Sequence, residues 1–117
     1  MPSTTSYPLF RRLLRALRIK RGWTQEQLAE KSLYQAILAL RTPEECRGFF
    51  RDLCTPAELQ AMADRWAVVE SLQRGLPYRE INRITGVSVT TIGRVARYLT
   101  TGNGGYSLVA QRLKARS

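Results

Sequence analysis

Three threonines, Thr24, Thr42 and Thr55, are each followed three positions later by a long polar side chain: Gln27, Glu45 and Glu58. At that spacing the hydroxyl accepts from the amide three residues on, while the longer side chain reaches back toward the start of the helix and satisfies a second orphan amide. Each pair predicts a helix start. Pro43 and Pro56 strengthen two of them, because proline's missing N–H costs nothing at the first helical position and its fixed φ suits the turn. No segment sustains the alternation of apolar and polar residues that a half-buried strand needs. The expectation is an all-α chain of about six helices with no internal repeat.

Apolar spacing supplies the helix faces. The first helix is expected over residues 25–40, and its later half, Leu33-Tyr34-Gln35-Ala36-Ile37-Leu38-Ala39-Leu40, is apolar around most of its circumference. Such a helix wants cover on several sides, and a chain of 117 residues has few elements to give it, which points to a second subunit. A second helix, residues 43–53, aligns Cys46, Phe49, Phe50 and Leu53 on one face. A third, residues 56–74, aligns Leu59, Met62, Trp66 and Val69 before stopping at Gly75. Two short pieces follow at residues 78–85 and 89–99. After a glycine-rich loop over residues 100–105, a last helix at 106–112 groups Tyr106, Val109, Ala110 and Leu113. These stripes read as core.

Charge narrows the partner. Nineteen Lys and Arg against nine Asp and Glu leave a net +10, and there is no histidine. Without His there are no His-based triads or ligands, which leaves Ser/Lys, carboxylate or thiolate chemistry for an enzyme. Cys46 and Cys54 are too few for a disulfide framework and lack metal-ligand spacing, so they read as reduced thiols and no metal is expected. No apolar run approaches the roughly 20 residues of a membrane span, and the N-terminus lacks the pattern of a secretory leader, so a soluble, cytoplasmic protein with no membrane partner is expected.

The basic residues cluster toward the ends. Arg11, Arg12, Arg15, Arg18, Lys20 and Arg21 occur without an acid among residues 1–23, as do Arg83, Arg94, Arg97, Arg112, Lys114 and Arg116 among residues 81–117. A field of one sign on part of a surface attracts a polyanion, nucleic acid above all. Arginines kept for solubility are the plainer alternative.

The stretch at residues 78–98 carries the most information. It has the parts of a helix-turn-helix: a short helix, Gly86 to take the left-handed turn, Val87 as the apolar residue after it, and Ser88 as a hydroxyl cap for the next helix. Ile81, Ile84, Val87, Ile92 and Val95 form the expected seam. Thr90, Thr91, Gly93, Arg94 and Arg97 are left outward, an acid-free face with hydroxyls for base edges and guanidinium groups for phosphate or guanine. With Arg79, Asn82 and Ser88 they make up the expected DNA-binding set. Asn82 stands where such motifs usually place alanine, so the first helix is expected either to stand off slightly or to turn Asn82 toward DNA. Two ordinary helices joined by a glycine turn are the plain alternative.

Residues 33–113 contain Glu44-Glu45-Cys46, Phe49-Phe50-Arg51-Asp52-Leu53-Cys54-Thr55, Tyr78-Arg79-Glu80-Ile81, Thr85-Gly86-Val87-Ser88 and Gly102-Asn103-Gly104-Gly105-Tyr106. In these the chain resembles the YerC/YecD-type group of Trp-repressor-like proteins. The resemblance implies a six-helix Trp-repressor-like fold and an intertwined homodimer that binds double-stranded DNA through two helix-turn-helix units. It also raises L-tryptophan as an effector, held by Arg65, Arg94 and Thr55. Val95 and Tyr98 stand where the repressor has glycine and serine, so two larger side chains are expected to intrude on that pocket. Thr55, Arg65, Arg94 and Tyr98 are thus the candidate effector set, and no other cofactor is implied.

The organisation expected is a basic extension over residues 1–23 and one helical domain over residues 24–117. Within the extension Phe10, Leu13, Leu14 and Leu17 oppose Arg11, Arg12, Arg15 and Arg18, the pattern of a basic amphipathic helix. It can serve as a packing helix, as a phosphate-gripping arm or as an interfacial targeting segment. The function expected is a transcription regulator, a repressor, with a basic RNA-binding module as the rival reading. An enzyme is not expected: Ser88, Thr90 and Thr91 lack a general base within the motif, and the 102–105 loop lacks the Lys-Ser/Thr of a phosphate-binding loop.

Overall fold

The capping boxes do most to set where the helices begin. A computed structural model describes Arg12 and residues 22–116, within which there are six helices and no strand. They are α1 (Gln25–Leu38), α2 (Pro43–Leu53), α3 (Pro56–Gln73), α4 (Tyr78–Thr85), α5 (Val89–Thr101) and α6 (Gly105–Arg116). The amphipathic helix expected within residues 1–23 lies outside the described residues. By contacts the chain divides after Phe49 into two compact units, a boundary that runs through α2.

In the first unit Thr24 caps α1 as its spacing predicts. Its Oγ1 accepts from the Gln27 amide at 3.1 Å, and its own amide donates to Gln27 Oε1 at 2.9 Å. The helix stops at Leu38, two residues short of expectation, and the next start explains why. Glu45 Oε1 accepts from the Arg41 amide at 2.8 Å while Thr42 Oγ1 accepts from the Glu45 amide at 3.1 Å. A backbone that presents the Arg41 N–H to Glu45 has already left α1. Leu28 is buried, and the Lys31 ammonium lies 4.1 Å from the Trp23 ring centroid, a cation–π contact. Tyr34 and Leu38 remain exposed, Leu38 by 82%.

The second unit has a core of Val68, Val69, Ile81, Val87, Ile92 and Val95, with Trp66, Leu72, Leu76, Leu99 and Tyr106 packed against it. Helix α3 meets α4 and α5, α4 meets α5, and α5 meets α6. The stripe expected on α3 is only partly the buried one. Val69 is buried and Trp66 packs against the core, joined there by Val68 and Leu72, while Met62 is exposed and Leu59 half-buried. These contacts favour the C-terminal half of a helix of 18 residues, so its first turns stay uncovered within this unit. Ser71, buried among apolar neighbours, satisfies its hydroxyl by donating to the Ala67 carbonyl at 2.9 Å.

Helix α5 runs to Thr101, further than expected, where the Thr100 and Thr101 hydroxyls donate back to the Arg97 carbonyl. Helix α6 is longer at both ends than its apolar spacing indicates, and Lys114 and Arg116 in its last turn favour the negative end of its dipole. Cys46 and Cys54 are free and half-buried.

Candidate nucleic-acid interface

The turn at residues 86–88 rests on a set of local bonds. Gly86 takes φ 74° and donates its amide to the Asn82 carbonyl at 2.9 Å, a left-handed helix stop that a Cβ would strain. The Thr85 hydroxyl donates to the Ile81 carbonyl at 2.6 Å and accepts from the Val87 amide at 3.1 Å. Asn82 Nδ2 then donates to the Val87 carbonyl at 2.8 Å. Nδ2 is thus engaged in the connection between the helices, while Asn82 as a residue stays exposed. Ser88 caps α5, its Oγ accepting from the Thr91 amide at 3.2 Å and lying 3.0 Å from Thr91 Oγ1.

Four of the five seam residues are buried, with Ile81 and Ile92 at 0% exposure, whereas Ile84 is 47% exposed. On α4 the inward direction is shared by Ile81 and half-buried Thr85, one helical turn apart, and a residue at position 84 points about 60° aside. The seam is thus four residues with Thr85 closing it.

The outward set divides by surroundings. Arg79, Ser88, Thr90, Arg94 and Arg97 are exposed. Thr91 and Gly93 are half-buried, and a Cβ at Gly93 would meet Tyr78 Cε2 at 3.9 Å, so Gly93 lies against the Tyr78 ring. Arg83 is engaged: its Nε donates to Glu80 Oε2 at 3.0 Å, and Nη2 makes an ion pair with Glu80 Oε1. That bond holds the Glu80 carboxyl below its usual range and raises the Arg83 guanidinium. Their i, i+3 spacing was the available signal for this pair. Glu80, the one acid within residues 78–98, has its charge paired by it.

The candidate effector set comes together only in part. A cleft of about 460 Å³ between α3 and the turn is lined by Asp64, Arg65, Gly86, Ser88, Thr91 and Arg94 among others. Arg65 donates from Nε to the Ala61 carbonyl at 3.2 Å, and Asp64 accepts from Gln60 Nε2 at 2.7 Å. Thr55 is elsewhere, engaged as the cap of α3: its Oγ1 accepts from the Glu58 amide at 3.1 Å and its amide donates to Glu58 Oε1 at 2.8 Å. Val95 is buried in the core, and Tyr98 lines a different cleft with Trp66, Asn103 and Tyr106. In a single chain, therefore, neither of the two larger side chains lines the Arg65–Arg94 cleft.

A family model for the Trp repressor protein matches residues 19–114. The chain belongs to the Trp repressor family. Two solved structures with this fold are a TrpR-like protein from Eubacterium eligens ATCC 27750 and a candidate Trp repressor from Staphylococcus aureus. The first is 41% identical with a TM-score of 0.71 and covers 74% of this chain and 89% of its own. The second is 40% identical, also with a TM-score of 0.71, and covers 74% and 86%. YerC, an uncharacterized protein of Bacillus subtilis (strain 168), is 44% identical over 82 residues, 70% of this chain and 79% of YerC. The Trp repressor family is one of helix-turn-helix DNA-binding regulators rather than enzymes. Among the described residues no helix is long and apolar enough to cross a membrane, and no acid or thiol cluster could hold a metal ion.

Proposed function

We propose that this protein is a homodimeric, sequence-specific regulator of transcription, a repressor, that lays α5 in the major groove of double-stranded DNA. The observation that carries this reading is the exposed Thr90, Arg94 and Arg97 face of a helix whose opposite side, Ile92 and Val95, is buried. In this role Thr90 approaches base edges, Arg94 and Arg97 contact guanine or phosphate, and Arg79 and Ser88 grip the backbone from the preceding helix and the cap. Asn82, exposed beside the face, braces the turn through Val87, and Gly93 lies against Tyr78.

A second copy of the chain supplies the missing cover. Tyr34 and Leu38 on α1, Leu53 on α2, and Leu108 and Val109 on α6 are large apolar side chains left exposed. Burial of such surface is the usual driving force for an obligate dimer, and two-fold symmetry would present two copies of α5 to one duplex. The basic extension over residues 1–23 adds phosphate contacts or packs on the dimer.

The test is affinity for one sequence as a DNA duplex and as an RNA duplex at fixed salt. DNA should win. Arg94→Ala should weaken DNA binding by about 5- to 100-fold, the loss of one good arginine contact, while Glu30→Ala on α1 should leave it unchanged. Preference for RNA, or equal effects of the two substitutions, would overturn the reading. The Arg65–Arg94 cleft favours a second reading, in which a small ligand modulates binding, and calorimetric titration with L-tryptophan tests it.

A further inference from the structure

Tyr98 lies one helical turn after Arg94 and directly after Arg97, and both guanidinium carbons stand 5.8 Å from its ring centroid. One ring therefore serves two cations. Among the described residues neither arginine has an ion-pair partner, in contrast to Arg83, which is held by Glu80. Tyr98 is 43% exposed, and with Trp66 and Tyr106 it lines a cleft of about 510 Å³.

We propose that Tyr98 is a positioning residue for the DNA-facing arginines, holding both guanidinium groups on the outer side of α5 before a duplex arrives. This rests on the DNA-binding reading above. A carboxylate orders an arginine by occupying its N–H donors and cancelling its charge. An aromatic face attracts the cation through its quadrupole and leaves the five N–H donors free. An unrestrained arginine loses rotamer freedom when it engages phosphate, and two guanidinium groups held near one another repel. A shared ring reduces the first cost and offsets the second.

The probe is a DNA duplex enriched by the unmodified protein from a random-sequence pool. Y98F keeps the ring and should bind within about twofold of wild type. Y98A and Y98L should each weaken binding about fivefold, with Y98L keeping the bulk so that a packing defect is not mistaken for the effect. In an R94A/R97A background Y98L should have no further effect. The slope of log affinity against log salt should fall for R94A and stay unchanged for Y98L, since Tyr98 contacts no phosphate. Wild-type affinity in Y98L would overturn the proposal. A full loss in Y98L after both arginines are gone would also overturn it, showing that the ring stacks on a base instead. If the unmodified protein enriches no duplex, the DNA-binding reading falls, a result distinguishable from either of these.

Discussion

The helix-turn-helix and the first two helices handle the same material in opposite ways. Between α4 and α5 the apolar residues are hidden inside one chain: Ile81, Ile92 and Val95 are essentially inaccessible, and the turn's polar groups are paired. Along α1 and α2 the apolar content is similar, yet Leu28 is the buried side chain of α1 and none of α2 is buried. A seam that closes within one chain can hold a fixed shape alone. A helix apolar on several sides wants another surface, and the proposed division of labour between a reading part and an assembling part rests on this contrast.

Substitutions should separate the two. Ile92→Ala empties a fully buried site and should cost about 2–5 kcal/mol in denaturant unfolding, the largest effect expected here. Leu38→Asp, on a side chain 82% exposed, should leave the stability of one chain within about 0.5 kcal/mol. The same change should raise the dimer dissociation constant by at least about tenfold in sedimentation equilibrium, because a carboxylate would enter the interface. Unchanged self-association would break the comparison. Asn82→Ala should cost about 1 kcal/mol by removing the bond to the Val87 carbonyl, read as a lowered unfolding midpoint.

The smallest effect concerns pH. The Thr55 amide and hydroxyl hold the Glu58 carboxyl below its ordinary 4.5. A lowered carboxyl contributes stability that is present above its unfolded pKa and is lost as pH falls through the folded one. Glu58→Gln should therefore flatten the acid limb of the stability profile by slightly lowering stability above about pH 4.5 while leaving the acid end almost untouched, which thermal melts across pH 3–7 would show.

Much of this was legible in residue spacing because the determinants are local. A threonine and a glutamate three apart form a cap from their own backbone, and Gly86 stops α4 by its own φ, so these starts and stops can be read without knowing the fold. The structure departs from the spacing where a neighbour decides. Whether Leu59 and Met62 or Val68 and Leu72 face the core depends on which half of α3 receives α4 and α5. Ile84 is likewise excluded by the angle at which α4 docks. The site followed the same rule: the outward arginines were readable from the seam opposite them, whereas the Asn82 bond into the turn and the ring shared by Arg94 and Arg97 emerge only in three dimensions.

The bond from Asn82 to Val87 has a further consequence. Where comparable motifs rely on a small side chain and close contact alone, this chain adds a polar staple across the bend, so the crossing of α4 and α5 is set before any encounter. Docking then resembles a key entering a lock rather than folding on contact, and the heat-capacity change on association should reflect the surface covered, with no added share from ordering the reading head.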